Sequence, residues 1–239
     1  MRILALDTTT RDGSAALVVD DRVIDERRGD AARTHAERLP GELIAILSAR
    51  KIAFSDIDLF AVAAGPGSFT GLRIGIATIQ GAAFVHRKRV VALSALDALA
   101  VAASPHAKPG TIVGAWMDGY RQDVFASLYE VTDAPPFEPE RLRVLEAPSV
   151  GPPAEVLDRW RSQRPQILVG DGVVKFRATL PLEGVELPPV PALAGVLGLM
   201  AAARARRGDT IDPAAIQPLY IRRPDAEVDR DRRAQGTRP

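Results

Sequence analysis

Short apolar runs alternate along this chain with longer stretches in which apolar residues recur every three or four positions. Ile3 to Leu6 is apolar and ends at Asp7, as a buried strand does. The following Asp7-Thr8-Thr9-Thr10-Arg11-Asp12-Gly13 is polar and rich in turn formers. Ser14 to Val19 predicts a second strand, Asp20-Asp21 a tight turn, and Val23 to Glu26 a third strand. Links this short make an antiparallel meander. The period then changes: Leu39, Leu43, Ile46 and Leu47 predict an amphipathic helix over about 34–50. Pro40 falls in its first turns, where a missing N–H is tolerated best. Ile57 to Ala63 is apolar almost throughout, as in a strand covered on both faces. Gly65-Pro66-Gly67-Ser68 breaks it, and a long helix is predicted from Phe69 to Val85. Val90 to Leu93 predicts another strand, and Ser94 stands where it can cap a helix reaching Ala103. Strand, helix, strand is a crossover unit and implies parallel pairing beside the meander.

Ser104 to Gly110, rich in Pro, Gly and Lys, reads as a joint between lobes. Beyond it, strands are predicted at Ile112–Met117, Val124–Val131 and Arg141–Glu146, a helix at Ala154–Trp160, a strand at Ile167–Val169 and a helix at Ala192–Arg206. The second half thus echoes the element order of the first. That echo predicts an α/β protein with a duplicated ribonuclease H-like, two-lobed fold and mixed sheets, as in the actin, hexokinase and Hsp70 superfamily. The lobes are placed at 1–104 and 105–221. The charged segment 222–239 has too few apolar residues to order itself. Either it is a frayed tail, or Arg222, Arg223, Arg230, Arg232 and Arg233 touch RNA phosphates, against which Asp225, Glu227, Asp229 and Asp231 alternate.

Composition narrows the chemistry. The 239 residues are 46% apolar and 26% charged, an ordinary globular balance able to build a sizeable core. Without cysteine there are no disulfides, thiolate nucleophiles or cysteine zinc sites. The opening Met1-Arg2-Ile3-Leu4 run is too short for a signal peptide, and no stretch approaches the ~20 apolar residues of a membrane helix. A cytoplasmic protein without membrane association is expected. A net charge of +1 provides no global pull toward nucleic acid, so RNA contact must be local or belong to a partner.

The sharpest local feature is Gly65-Pro66-Gly67-Ser68-Phe69-Thr70-Gly71-Leu72-Arg73-Ile74-Gly75, which directly follows a buried strand. It lacks the Gly-Lys-Ser/Thr ending of a Walker loop and the third glycine of a dinucleotide fingerprint. A glycine turn before a helix N-terminus suits an anion, and it equally suits a tight turn without ligand. This run resembles the signature of the TsaB (YeaZ-like) family of tRNA threonylcarbamoyladenosine biosynthesis proteins. Further matches follow in order: Ile3 to Thr10, Thr34 to Leu39, Val91 to Leu99, Trp116 to Val124, Gly170-Asp171-Gly172, and Pro218-Leu219-Tyr220-Ile221-Arg222. Gly119-Tyr120 departs from the usual Ala-Arg. The resemblance covers about 1–224 and is looser between 130 and 191.

It implies a partner subunit rather than a catalyst: one that pairs with the paralogue TsaD and, with the ATPase TsaE, supports threonylcarbamoyl transfer to N6 of the tRNA adenosine after the anticodon. TsaD carries metal on an HxxxH pair. Here the histidines at 35, 86 and 106 are scattered, so no metal site and no catalytic residue is expected. The chain is expected to have no cofactor of its own, with ATP or ADP at most at the interface of the complex.

Asp7, with Thr8, Thr9 and Thr10, either lines a nucleotide cleft or caps its own turn; Gly65, Gly67 and Ser68 are the matching anion candidates. A stand-alone actin-fold ATPase or phosphotransferase is the alternative function. A peptidase built on Ser68 and His35 is a further one, but Thr70 stands where a nucleophile elbow needs glycine. The run from His86 to Arg89 either complements a helix C-terminus or meets RNA. Gly71, Gly75, Thr78 and Ala82 make a stripe of small residues. Either it packs on the chain's own core or it forms a seam with another subunit. In the resembling family the two N-terminal helices contact TsaD, so Leu39, Leu43, Gly71, Leu72, Gly75, Ile76, Ile79 and Ala83 are the partner candidates. A homodimer is expected when the chain is alone.

Overall fold

A computed structural model describes residues 1–222. The expected contact of Arg223, Arg230, Arg232 and Arg233 with RNA, and the expected lack of order beyond Arg222, lie outside the described residues. The first sheet begins with the meander β1 (Arg2–Asp7), β2 (Ser14–Val19) and β3 (Arg22–Arg28). After helix α1 (His35–Ser48) come β4 (Leu59–Gly65), α2 (Phe69–Val85), β5 (Arg89–Ser94) and α3 (Ala95–Ala103). The strand order is β3-β2-β1-β4-β5, antiparallel through the meander and parallel from β1 through β4 to β5.

The second half repeats this scheme with β6 (Ile112–Asp118), β7 (Val124–Val131), β8 (Leu142–Gly151), α4 (Pro153–Arg159), β9 (Ile167–Val169), α5 (Asp171–Phe176) and α6 (Ala194–Arg206). Its sheet order is β8-β7-β6-β9, with β6 and β9 parallel. The duplicated ribonuclease H-like fold is therefore present, the second sheet having one strand fewer. Sequence periodicity missed α5, because six residues are too few for a helical period to register.

Strand alternation sets the layers. Ile3 and Ala5 face a core that also holds α3 and α6, while Leu4 and Leu6 face α1 and α2. In the second sheet Val113, Ala115 and Met117 join the core around α3, and Trp116 turns to the other side with Trp160. Both sheets are thus covered on two faces, and α3 and α6 lie between them.

The helices are not confined to the sheet that precedes them. α6, in the second half of the sequence, packs on β1, β2 and β4 of the first sheet, while α3 packs both on β4 and β5 of the first and on β6, β8 and β9 of the second. Gly198 makes this close approach feasible, since a Cβ there would lie 2.5 Å from Val18. The N-terminal N–H groups of α6 are met from the first sheet as well. Ser14 Oγ accepts from Leu193 and Ala194 N–H at 3.2 and 3.0 Å, and Glu26 accepts from Gly195 N–H at 2.7 Å.

α3 ends on a buried cation. The Arg141 guanidinium donates to the carbonyls of Ser104 and Ala107 just past α3, at 2.5 and 3.0 Å, and to those of Thr132 and Ala134, both at 2.9 Å. A cation at a helix C-terminus is favoured by the helix dipole. Removing it takes a donor from four carbonyls, that of Ser104 being fully buried. Arg141→Ala is therefore expected to cost about 2–4 kcal/mol in urea denaturation; a loss below about 1 kcal/mol would contradict this role.

Candidate functional site

A cavity of about 380 Å³ opens between the lobes. β1 delivers Asp7 to its floor, and the β1–β2 turn brings Thr10 and Asp12. Opposite stand Asp118, at the end of β6, and Asp171 and Lys175 of α5. Leu99, Met117 and Val174 supply apolar wall. Two ion pairs lie in this lining, Arg28 with Asp12 at 2.9 Å and Lys175 with Asp118 at 2.8 Å. Asp171 accepts from the Asp118 N–H at 3.1 Å.

Asp7 is buried. Its Oδ1 accepts from the Thr9 N–H at 2.9 Å and the Thr9 hydroxyl at 2.6 Å. Burial pushes its pKa up to about 6 against the partial offset of the Thr9 bonds, with Asp12 and Asp171 adding to the rise. Asp171 is raised too, chiefly by burial. The Asx turn expected of Asp7 is thus formed, and the same side chain also lines the cleft.

The β1–β2 turn is held from two sides. On α1, capped by Thr34 and Glu37 in a reciprocal box, His35 bonds the Thr10 carbonyl through Nε2 at 3.0 Å. Its Nδ1 accepts from Arg38 at 2.7 Å. These partners assign the proton to Nε2. Arg38, also buried, donates to the carbonyl of Asp12 and pairs with Glu42 at 2.6 Å. Burial, then the Arg38 charge, holds the His35 pKa below its usual value. From α2, Gly71 and Gly75 press on the turn: a Cβ at these positions would lie 2.2 Å from the Thr8 carbonyl oxygen and 2.1 Å from Thr8 Oγ1.

Comparison with known proteins agrees with this architecture. Residues 28–136 match the family model described as TsaD, tRNA N6-adenosine threonylcarbamoyltransferase. Over 230 residues the chain is 32% identical to an uncharacterized protein of Mycobacterium tuberculosis, with 94% of this chain and 93% of that one covered. The tRNA threonylcarbamoyladenosine biosynthesis protein TsaB of Escherichia coli is 41% identical over 83 residues, 35% of this chain and 36% of that one. YeaZ from Pseudomonas aeruginosa superposes with a TM-score of 0.74 at 28% identity, over 92% of this chain and 99% of that one. The chain belongs to the TsaB (YeaZ) family. A more distant likeness, TM-score 0.51 at 11% identity over 87% of this chain and 98% of the other, is to an activator of 2-hydroxyisocaproyl-CoA dehydratase from Clostridium difficile solved with ADPNP, and it concerns the fold alone.

Within this TsaB-family chain the sequence candidates separate. Of Asp7, Thr8, Thr9, Gly65, Gly67 and Ser68, only Asp7 lines the inter-lobe cavity. Gly67 packs on Thr9, where a Cβ would come within 2.6 Å. The Ser68 N–H donates to the Thr9 carbonyl at 2.8 Å, and Ser68 Oγ caps α2 by accepting from the Gly71 N–H at 3.2 Å. The Ser68 and Gly71 N–H groups are thus used by the chain itself, and the glycine motif forms a tight strand-to-helix turn. The peptidase pairing fails for a related reason: both His35 ring nitrogens are committed, and Ser68 Oγ is a helix cap.

The partner candidates need correction. Leu39, Leu43, Leu72, Ile76, Ile79 and Ala83 are all buried in this chain's own core, and Gly71 and Gly75 are covered by Thr8. Of the small-residue stripe, Gly71 and Gly75 face inward, while Thr78 and Ala82 are half-buried. Of the basic run, His86 caps α2 and stacks on Phe54 at 6.0 Å, and Arg89 donates to Thr210.

Sequence reading missed the cavity's ionic frame of Asp12, Arg28, Asp118 and Lys175. It also left the closing Pro-x-Tyr-x-Arg without a role. Leu219 N–H bonds the Ala64 carbonyl at 2.7 Å, Tyr220 packs on Phe69 at 5.3 Å, and Arg222 pairs with Asp123 on the far lobe. That segment ties the glycine turn to the β6–β7 hairpin.

Asp7 generates a prediction whose sign follows from its raised pKa. The folded state holds the proton up to about pH 6, the unfolded chain only to about 3.8. Its ionisation therefore lowers stability as pH rises between those values, and the whole cost is present at neutral pH. Asp7→Asn keeps an acceptor for Thr9 and removes the charge. It is expected to raise stability by about 1–3 kcal/mol at neutral pH, with the gain vanishing near pH 4. Thermal melts of both proteins across that range check this; an Asn variant less stable at neutral pH would refute it.

Proposed function

We propose that this chain is a non-catalytic subunit of the complex that makes threonylcarbamoyladenosine in tRNA. In this reading it pairs with TsaD and, together with TsaE, supports transfer of the threonylcarbamoyl group to N6 of the adenosine beside the anticodon. The supporting observation is the outer face of α1 and α2. Ile44, Phe84 and Val85 are 56, 79 and 71% exposed there, beside exposed Pro40, Gly41, Ala45, Ala77 and Gly81. Apolar and small residues arranged in this way on adjacent helices allow another pair of helices to approach closely. These residues replace the buried ones named from sequence.

The same face explains the expected homodimer of the isolated chain, since two copies can cover each other until TsaD displaces one. tRNA is reached through the complex, and any nucleotide belongs at the subunit interface. In this reading the complex works in the cytoplasm. Among the described residues no helix is long and apolar enough to cross a membrane. The stand-alone ATPase or phosphotransferase gains no support from the cleft, whose turn N–H groups at Thr9 and Gly13 are taken by the side chains of Asp7, Thr10 and Asp12.

A Cβ at Gly81 would meet nothing within 4 Å, so a large residue fits there without disturbing the fold. Gly81→Arg is expected to weaken both the homodimer and the TsaD heterodimer by at least about tenfold, roughly 1.4 kcal/mol. Phe84→Asp should do the same while melting like the parent. Light scattering coupled to size exclusion, with and without TsaD, reads the result. Unchanged pairing of both variants would remove this face from the interface.

A further inference from the structure

The inter-lobe cavity has a charge balance that the partner role does not use. Four carboxylates line it, Asp7, Asp12, Asp118 and Asp171, against two cations, Arg28 and Lys175. Both cations are already engaged, with Asp12 and Asp118 respectively. Each is also held elsewhere: Arg28 donates to the Val190 carbonyl at 2.6 Å, and Lys175 lies 5.1 Å from the Phe176 ring centre. Asp7 and Asp171 are left without a cationic partner among the described residues.

Asp7 is the decisive group. It is only 3% exposed, yet one of its oxygens is unused. Oδ1 takes both Thr9 bonds, and Oδ2 accepts none. Asp7 lines the cavity, and no donor among the described residues reaches Oδ2. A buried carboxylate lining a cavity, with burial opposing its charge, lacks a counter-charge or a donor.

Three ligand classes can be compared. A polyphosphate would bring its negative charge against Asp7, Asp12, Asp118 and Asp171 and find the Thr9 and Gly13 N–H groups already taken. A bare metal ion needs several ligands converging on one point, and no group of three His, Cys, Asp or Glu among the described residues is so placed. An organic cation has neither difficulty. Its charge would meet Asp7 and Asp171, and its body would lie on Leu99, Met117 and Val174. We propose that the inter-lobe cavity binds a small organic cation, an ammonium or guanidinium on an apolar body, with Asp7 and Asp171 as its counter-charges.

Benzamidine and its uncharged isostere benzamide separate the charge requirement from simple filling of space. In calorimetric titration of the full chain at neutral pH, benzamidine should bind at least about tenfold tighter than benzamide. Asp7→Asn should weaken benzamidine by at least about tenfold and leave benzamide unchanged. Val174, on the cavity wall and 52% exposed, offers a second variant that spares the core, and Val174→Trp should block benzamidine by occupying its space. No detectable benzamidine binding would overturn the proposal. So would equal binding of benzamide, indifference to both variants, or ATP binding more tightly than benzamidine. None of these results bears on pairing through the α1–α2 face, which is read separately by size exclusion.

Discussion

The closest approach in the molecule that matters most is that of α2 to the turn after β1. Gly71 and Gly75 let the helix lie on Thr8 with no room for even a methyl group. That contact fixes which side of α2 faces inward, and so which side is left outside. It also fixes the path of the backbone that carries Asp7 into the cleft. His35 and Arg38 grip the same turn from α1. The turn is therefore shared between two surfaces: its far side forms the cleft, and the helices that clamp it carry the outer apolar face.

Most of the fold could be read from the chain. The helix over Phe69–Val85 and the strands over Ser14–Val19, Val124–Val131 and Ile167–Val169 fall where periodicity places them. Local patterns carry this information because the apolar stripe and the strand alternation are local properties. Helix faces were harder. α2 has apolar or small residues nearly all round, so its inward side could not be separated from its outward side by sequence, and the inward set was taken as the contact surface.

The cleft was less legible still. Asp7 stood out because it ends a strand, but its neighbours in space come from far along the chain. Lys175 reaches Asp118 across 57 positions, and α5 is too short to announce itself. Among the described residues, the buried charged side chains Asp7, Arg38 and Arg141 show three distinct solutions to one cost. Arg141 is met by carbonyls alone, Arg38 by a carboxylate, a histidine and carbonyls, and Asp7 by a threonine on one oxygen only. The last is the incomplete one, and it faces the cavity.

The placing of α3 and α6 between the two sheets has a consequence for the halves of the chain. Duplicated folds invite the idea of two modules that could be recombined or lost singly. Here a gene cut at the joint would yield one fragment whose sheet lacks the covering of α6 and another whose sheet lacks α3. Each half would expose an apolar face that the other half was built to hide. The two halves then depend on each other to fold, and a change in one core is felt by the other, although both follow a single pattern of elements.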